Sequence, residues 1–248
     1  MHPLLKLYAR NRRQGSFTCE ASSGQDEATI YLYDMIVDSD IEAEYWGGVS
    51  PQAFITALNS LSAQTIHLRV NSPGGSVFAA RAIEQALREH KSSIVAHIDG
   101  VAASAASFLI MAADTIQMAP GAFVMIHKAW TMAYGNADDL SKTAALLEQV
   151  DGSLVKTYAA RSGQSEERIA TMMAAETWLD AAQAVDLGFA NSIAEDSKTK
   201  ASAWDLSAYA GAPKPAPADD PAPAADPALI ASRQRADRLL NHYTRIAR

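Results

Sequence analysis

Residues 93–114, SIVAHIDGVAASAASFLIMAAD, pass from a β-strand pattern through a glycine and several small residues into an apolar helical run. The strand pattern ends at Asp99, and Gly100 marks the turn that follows it. Ser104 therefore lies where a loop becomes a helix. Because serine is common near helix starts as a capping or packing residue, Ser104 and Ser107 have a structural interpretation as well as a catalytic one.

The segments around this stretch alternate between strand and helix patterns. Ser50 caps a predicted helix that has Pro51 in its first position. Residues 65–75, TIHLRVNSPGG, form a strand pattern that breaks at Pro-Gly-Gly, and residues 76–90 have apolar side chains at helical spacing. Further strands are predicted at 28–36, 93–99, 114–119 and 122–130, and further helices at 137–160, 165–176 and 180–191. Strands that alternate with helices predict an α/β fold with a largely parallel sheet.

The composition is that of a folded, acidic protein. The chain has 248 residues, of which 48% are hydrophobic and 20% are charged, so it is long enough for one large domain with appendages. A net charge of −7 argues against nucleic acid as the main partner. Cys19 is the only cysteine, which excludes an internal disulfide and a zinc site of Cys/His spacing. We expect neither a metal nor a cofactor.

The sequence also predicts where the protein resides. The first residues, MHPLLKLYARNRR, lack the pattern of a secretory signal peptide, and no apolar run reaches the length of a membrane span. With one cysteine, the chain suits a reducing compartment. We therefore expect a soluble, cytoplasmic protein with no membrane partner.

Four segments are predicted along the chain. Residues 1–27 are a mixed N-terminal segment, and residues 28–196 form the folded domain. Residues 197–227 are rich in Pro, Ala and Asp and predict an extended linker. Residues 228–248 carry five arginines against one aspartate in an amphipathic helical pattern. This last segment is either a solvated helix or a surface for an acidic partner, a capsid shell or a nucleic acid.

The candidate chemistry lies where strands end, because open parallel sheets place ligands at their carboxyl ends. Pro73, Gly74 and Gly75 form either a simple turn or a loop whose N–H groups approach an oxyanion beside Ser104. His127 is either structural or the base that activates the serine. A third group, a carboxylate, would orient the histidine. The residue patterns do not choose among the candidates Asp138, Asp139, Glu148, Asp151, Glu176, Asp180 and Asp186.

Several ordered blocks then resemble one family, the ClpP-type serine peptidases, and among them the head-maturation proteases of tailed bacteriophages and prophages. The blocks cover residues 28–195 and read NSPGGSV, DGVAASAASFLIMAAD, FVMIH, RSGQSEERI and ETWLDAAQAVDLGFAN. The resemblance implies a ClpP/crotonase-like superhelix of repeated β-β-α units with a largely parallel sheet. It also implies that the helix at 137–160 is a protruding handle between subunits.

The resemblance implies roles for individual residues. Ser104, in the GVAAS block, is the implied nucleophile, and His127 is the implied general base. The backbone N–H groups of Gly75 and Ala105 are the implied oxyanion donors. The family's catalytic aspartate corresponds in this chain to Glu176, with Asp180 as the fallback.

The implied function is that of a serine endopeptidase that cleaves phage head or scaffold proteins, or unfolded polypeptides. The resemblance further implies heptameric rings and a partner that is either an ATP-driven AAA+ unfoldase or a phage capsid or scaffold protein, in the bacterial cytoplasm or a phage prohead. The chain has no ATP-binding P-loop motif of its own. Ala174 and Ala175 stand where the family often has an Asp-Arg pair that couples ring stacking to activity. The sequence therefore leaves open whether two rings stack. The alternatives are a catalytically degenerate assembly or scaffolding protein and, as a minor one, a crotonase-like acyl-CoA enzyme.

Overall fold

A computed structural model describes residues 2–21, 26–195 and 204–213 of the chain. The helices in these ranges are α1 (Pro3–Arg10), α2 (Asp40–Trp46), α3 (Pro51–Asn59), α4 (Val77–Glu89), α5 (Ala105–Leu109), α6 (Ala137–Ser162), α7 (Glu166–Ala174) and α8 (Ala181–Asp186). The strands are β1 (Ser16–Ala21), β2 (Glu27–Tyr33), β3 (Thr65–Ser72), β4 (Ser93–Ala103), β5 (Thr115–Met118), β6 (Phe123–Ile126), β7 (Thr177–Asp180) and β8 (Ser192–Ile193).

The sheet is mixed but largely parallel, which confirms the predicted α/β class. Its strands follow the order β1-β2-β3-β4-β5-β8, in which only β1 is antiparallel to its neighbour. β4 is longer than the predicted strand, and its second half, Val101–Ala103, pairs in parallel with β6. β7 then pairs with β6 in the antiparallel direction. This branch brings the carboxyl ends of β4 and β6 side by side.

One face of the sheet packs against the helices. β3 alternates strictly between half-buried and fully buried residues, because only one of its two faces lies against the helical layer. Phe54 and Leu58 on α3 and Ile83 on α4 are fully buried in that layer. Ser50 caps α3 as predicted, with its hydroxyl accepting a hydrogen bond from the Ala53 N–H.

The longest helix, α6, is packed at one end only. It begins with a capping box between Asn136 and Asp139 and ends at Gly163, whose φ of 72° requires the left-handed conformation. Its buried residues are Leu154, Val155 and Tyr158, all in the second half. The first half is exposed and carries apolar side chains such as Leu146. The helix predicted at 137–160 is therefore confirmed, and its N-terminal half projects away from the core.

Packed residues extend beyond both expected ends of the folded region. Leu7 and Tyr8 of α1 are buried, and β1 pairs with β2 along its whole length, so the described part of the N-terminal segment packs against the folded domain. Within the expected linker at 197–227, Trp204 and Tyr209 are buried with them in a second apolar cluster. These aromatic rings bury enough apolar surface to order a short segment of otherwise polar composition. The basic helix predicted at 228–248 lies outside the described residues.

None of the described helices is both long and apolar enough to cross a membrane.

Candidate active site

Ser104 occupies a sharp turn between β4 and α5. Its backbone has φ 54° and ψ −122°, a conformation that costs a non-glycine residue about 1–3 kcal/mol. The turn is held by a hydrogen bond from the Ser104 N–H to the carbonyl of Met125 in β6, at 2.9 Å. The strained turn aims the hydroxyl away from the helix: among the described contacts the Ser104 side chain makes no capping bond to α5.

His127 follows the last residue of β6 and meets this serine. The parallel pairing of Ala103 with Met125 places the two strand ends at the same level. The distance between His127 Nε2 and Ser104 Oγ is 2.7 Å, a good hydrogen bond. Burial lowers the pKa of His127 to about 4, although the nearby Glu176 carboxylate acts in the opposite direction. The imidazole is therefore neutral at pH 7 and can accept the serine proton.

The two candidate carboxylates lie at opposite ends of β7. The antiparallel register pairs Ile126 with Thr177 and Phe123 with Asp180. One step further along this register, His127 comes opposite Glu176, whereas Asp180 lies four residues away, roughly 13 Å along the strand. Asp180 also caps α8, where its Oδ1 accepts the N–H of Gln183 at 2.8 Å.

Glu176 lies next to His127 but does not hydrogen-bond to it within the described residues. Its Oε1 accepts the N–H of Gly211 at 2.6 Å and the indole N–H of Trp178 at 3.3 Å. Its Oε2 accepts the N–H of Ala210 at 3.1 Å. Like Ser104, Glu176 has a positive φ, 51°, and two strained non-glycine residues near one histidine are typical of a functional site.

The glycine loop after β3 packs directly against the serine turn. A methyl group on Gly74 would lie 2.9 Å from both the Ala105 nitrogen and the Ser104 Cβ. Gly75 has φ 148°, and a methyl group there would lie 2.0 Å from the carbonyl oxygen of Ile36. No hydrogen bond within the described ranges uses the N–H of Gly75 or of Ala105. Two N–H groups that belong to adjoining loops are thus available to an anionic oxygen near Ser104.

An aromatic cluster packs around His127, and local sequence patterns do not predict it. Trp130 and Tyr209 pack edge-on against the His127 ring, with centroid distances of 4.5 Å and 5.5 Å. Tyr209 also contacts Trp130 and Trp178. The one signal in the sequence is the WDLSAY stretch at 204–209, two aromatics in a tract otherwise dominated by small and polar residues.

The polar groups of the site suit nucleophilic chemistry. In the part of the chain that the structure describes, no three His, Cys, Asp or Glu side chains are grouped to hold a metal ion. A serine hydroxyl bonded to a buried, neutral histidine beside two unpaired backbone N–H groups is the arrangement that serine hydrolases use.

Comparison with known proteins gives the family. The Clp protease family model matches residues 27–197, and the chain belongs to this family of peptidases. It is 27% identical over 165 residues to an ATP-dependent Clp protease proteolytic subunit of Bacteroides fragilis (strain ATCC 25285), an alignment that covers 65% of this chain and 80% of that protein. It is also 27% identical over 135 residues to the subunit of the same description in Chlorella vulgaris, covering 54% of this chain and 67% of the relative.

Proposed function

We propose that this protein is a serine endopeptidase in which Ser104 is the nucleophile and His127 the general base. The observation that carries the proposal is the 2.7 Å hydrogen bond between Ser104 Oγ and His127 Nε2 at a strained turn. Membership of the Clp protease family favours a peptide substrate over the acyl-CoA alternative. Glu176 is the proposed orienting carboxylate, and Gly75 and Ala105 are the proposed oxyanion donors.

The proposed reaction follows from these positions. As Ser104 Oγ attacks the scissile carbonyl carbon, its proton passes to His127 Nε2, and the carbonyl oxygen becomes an anion that the N–H groups of Gly75 and Ala105 stabilise. The imidazolium then gives this proton to the leaving amine, which breaks the C–N bond and leaves an ester on Ser104. A water molecule, deprotonated by His127, hydrolyses the ester and regenerates the serine.

The substrate and the assembly are part of the same proposal. Unfolded polypeptides or phage head and scaffold proteins are the proposed substrates, and the proposed assembly is a heptameric ring. The relatives' description as proteolytic subunits of an ATP-dependent protease supports an unfoldase partner, because this chain has no P-loop motif. A capsid or scaffold partner in a prohead would instead bring substrate at high local concentration. The proposed location is the bacterial cytoplasm or the prohead.

Labelling with a fluorophosphonate probe tests the nucleophile. We expect the purified full-length chain to form one adduct, which mass spectrometry of the digested protein places on Ser104. Ser104→Ala should form none, while Ser165→Ala, which changes an exposed helix cap far along the chain, should label as the wild type does. An adduct on another serine, or equal labelling of Ser104→Ala, would rule out the proposed nucleophile.

The choice between the two carboxylates is a separate prediction. We expect Glu176→Gln to lower kcat for peptide hydrolysis by about 10³- to 10⁴-fold, since removal of an orienting carboxylate costs that much in serine peptidases. Asp180→Asn is the matched control, because asparagine keeps the helix cap, and its kcat should stay within about threefold of the wild type. The reverse pattern in the two kcat values would assign the role to Asp180.

One observation favours the second candidate, a catalytically degenerate assembly protein. The Glu176 carboxylate is bonded to Trp178, Ala210 and Gly211 rather than to His127, so the triad is not closed in this structure. If the protein is degenerate, the wild-type chain and Ser104→Ala should form the same oligomer, and neither should form an adduct in the labelling experiment.

A further inference from the structure

Residues 204–213, WDLSAYAGAP, lie across the candidate active site, and we refer to them as the strap. At its first end, the Trp204 indole N–H donates to the carbonyl of Asn71 at 3.0 Å. Asn11 then holds the next residue through two hydrogen bonds, from the Asp205 N–H at 2.7 Å and to the Asp205 carbonyl at 3.0 Å. Lys6 donates to the carbonyl of Ser207. The strap is thus fastened to α1 and to the end of β3.

The centre of the strap inserts one aromatic side chain into the site. Tyr209 is only 4% exposed, and its hydroxyl donates to the carbonyl of Pro73 at 2.5 Å, in the loop that carries Gly75. The same side chain packs on the His127 ring, whose Nε2 bonds Ser104 Oγ. A substrate carbonyl must reach the space between Ser104 and the glycine loop, and Tyr209 contacts the glycine loop on one side of that space and His127 on the other.

The far end of the strap binds the third candidate residue of the triad. The N–H groups of Ala210 and Gly211 donate to the two carboxylate oxygens of Glu176, at 3.1 Å and 2.6 Å. Hydrogen bonds to a charged acceptor are about twice as strong as neutral ones. While Ala210 and Gly211 make these bonds, the Glu176 carboxylate has less capacity to accept a hydrogen bond from the Nδ1–H of His127.

We propose that the strap is an autoinhibitory segment that fills the substrate groove of its own subunit with the Tyr209 side chain and withholds Glu176 from His127. The inference rests on the proposed peptidase function. It follows that the groove binds an aromatic side chain between Trp130, Trp178 and the His127 ring. Displacement of the strap both opens the groove and releases the Glu176 carboxylate toward the histidine.

The rate of adduct formation on Ser104 tests the inference in the full-length chain. If the strap is closed most of the time, the observed labelling rate equals the rate of the open form multiplied by the fraction of molecules that are open. We expect Tyr209→Ala and Trp204→Ala to be labelled about 10-fold faster than the wild type, or more. Tyr209→Phe, which keeps the ring and loses the bond to Pro73, should be accelerated less and serves as the variant that preserves packing. Tyr45→Ala, on α2, is the control and should match the wild type.

A peptide added in trans provides the reverse experiment. The synthetic peptide WDLSAYAGAP should slow the labelling of Tyr209→Ala back toward the wild-type rate, whereas WDLSAAAGAP should not. This result would distinguish occupancy of the groove from a general loosening of the fold. If Tyr209 had only a structural role, Tyr209→Ala would be labelled more slowly than the wild type, and the peptide would not restore the wild-type rate.

The outcomes separate the two proposals. Faster labelling of both strap variants, with rescue by the tyrosine peptide, supports autoinhibition. Equal or slower labelling of both variants, with Ser104 still reactive, overturns the strap inference and leaves the peptidase function standing. An absence of any adduct in the wild type and in every strap variant overturns the peptidase function itself.

Discussion

Replacement of His127 by alanine is expected to lower kcat for peptide hydrolysis by about 10⁵- to 10⁶-fold, the loss seen when the base of a serine peptidase is removed. The 2.7 Å bond to Ser104 Oγ is the contact through which the proton would leave the serine. Without a neutral imidazole at this position, the hydroxyl keeps its proton at pH 7 and is a poor nucleophile.

The matched control for this variant is His90→Ala. His90 follows the C-terminal end of α4, where its ring accepts the N–H of Ser92 at 3.2 Å, while the glycine loop lies at the other end of the 13-residue helix, about 20 Å away. His90→Ala should therefore retain kcat within about twofold of the wild type. Steady-state hydrolysis of a fluorogenic peptide gives both values. A His127→Ala enzyme that keeps a tenth of the wild-type kcat would contradict the proposed base.

The second large effect is expected for Gly75→Ala. The methyl group would lie 2.0 Å from the Ile36 carbonyl oxygen, and φ at this position is 148°, so the loop must shift to relieve the overlap. A shift moves the Gly75 N–H away from the oxygen that it is proposed to stabilise. Loss of one oxyanion donor lowers kcat by about 10²- to 10³-fold, and we expect a loss of that size.

Gly121→Ala is the matched control for the loop variant, since a methyl group there has nothing within 4 Å. It should leave kcat and the midpoint of thermal unfolding close to those of the wild type. Circular dichroism of Gly75→Ala shows whether the fold is retained, and its kcat and KM show where the loss occurs. A folded Gly75→Ala enzyme with wild-type kcat would rule out this N–H as an oxyanion donor.

Closure of the strap affects the reference rate in all of these kinetic experiments. If Tyr209 blocks the groove in most molecules, the wild-type rate that serves as reference is itself low. Because closure multiplies every rate by the same open fraction, an active-site substitution that leaves strap closure unchanged should show the same fold loss in a Trp204→Ala background as in the wild-type chain, with both rates higher.

Much of the candidate site follows from local sequence patterns. A strand pattern that ends at Asp99 and is followed by Gly100 and Ser104 predicts a serine near the carboxyl end of a strand, and the same argument applies to His127. Parallel strands end at a common edge of the sheet, so their meeting is predictable without coordinates. The glycine loop is predictable for the same reason, because Pro73 and Gly74 break the strand pattern before them.

The third residue could not be chosen from local patterns. The seven candidate carboxylates that follow His127 lie at intervals that suit helices and loops, and the spacing alone does not distinguish them. The antiparallel pairing of β7 with β6 sets Glu176 beside His127 and Asp180 at the far end of the strand. Strand register depends on contacts between segments about fifty residues apart, which periodicity does not contain.

The sequence by itself thus determined the α/β class, the serine and histidine with their places at strand ends, and the glycine loop, because each depends on short-range patterns. Only the tertiary structure decided that α1 and residues 204–213 belong to the packed protein. Tyr209 and Asn11 come from opposite ends of the chain, and their burial depends on surfaces that exist only after the sheet has formed. For the same reason, only the fold shows that Tyr209 reaches the glycine loop at Pro73 and that Gly211 binds the Glu176 carboxylate.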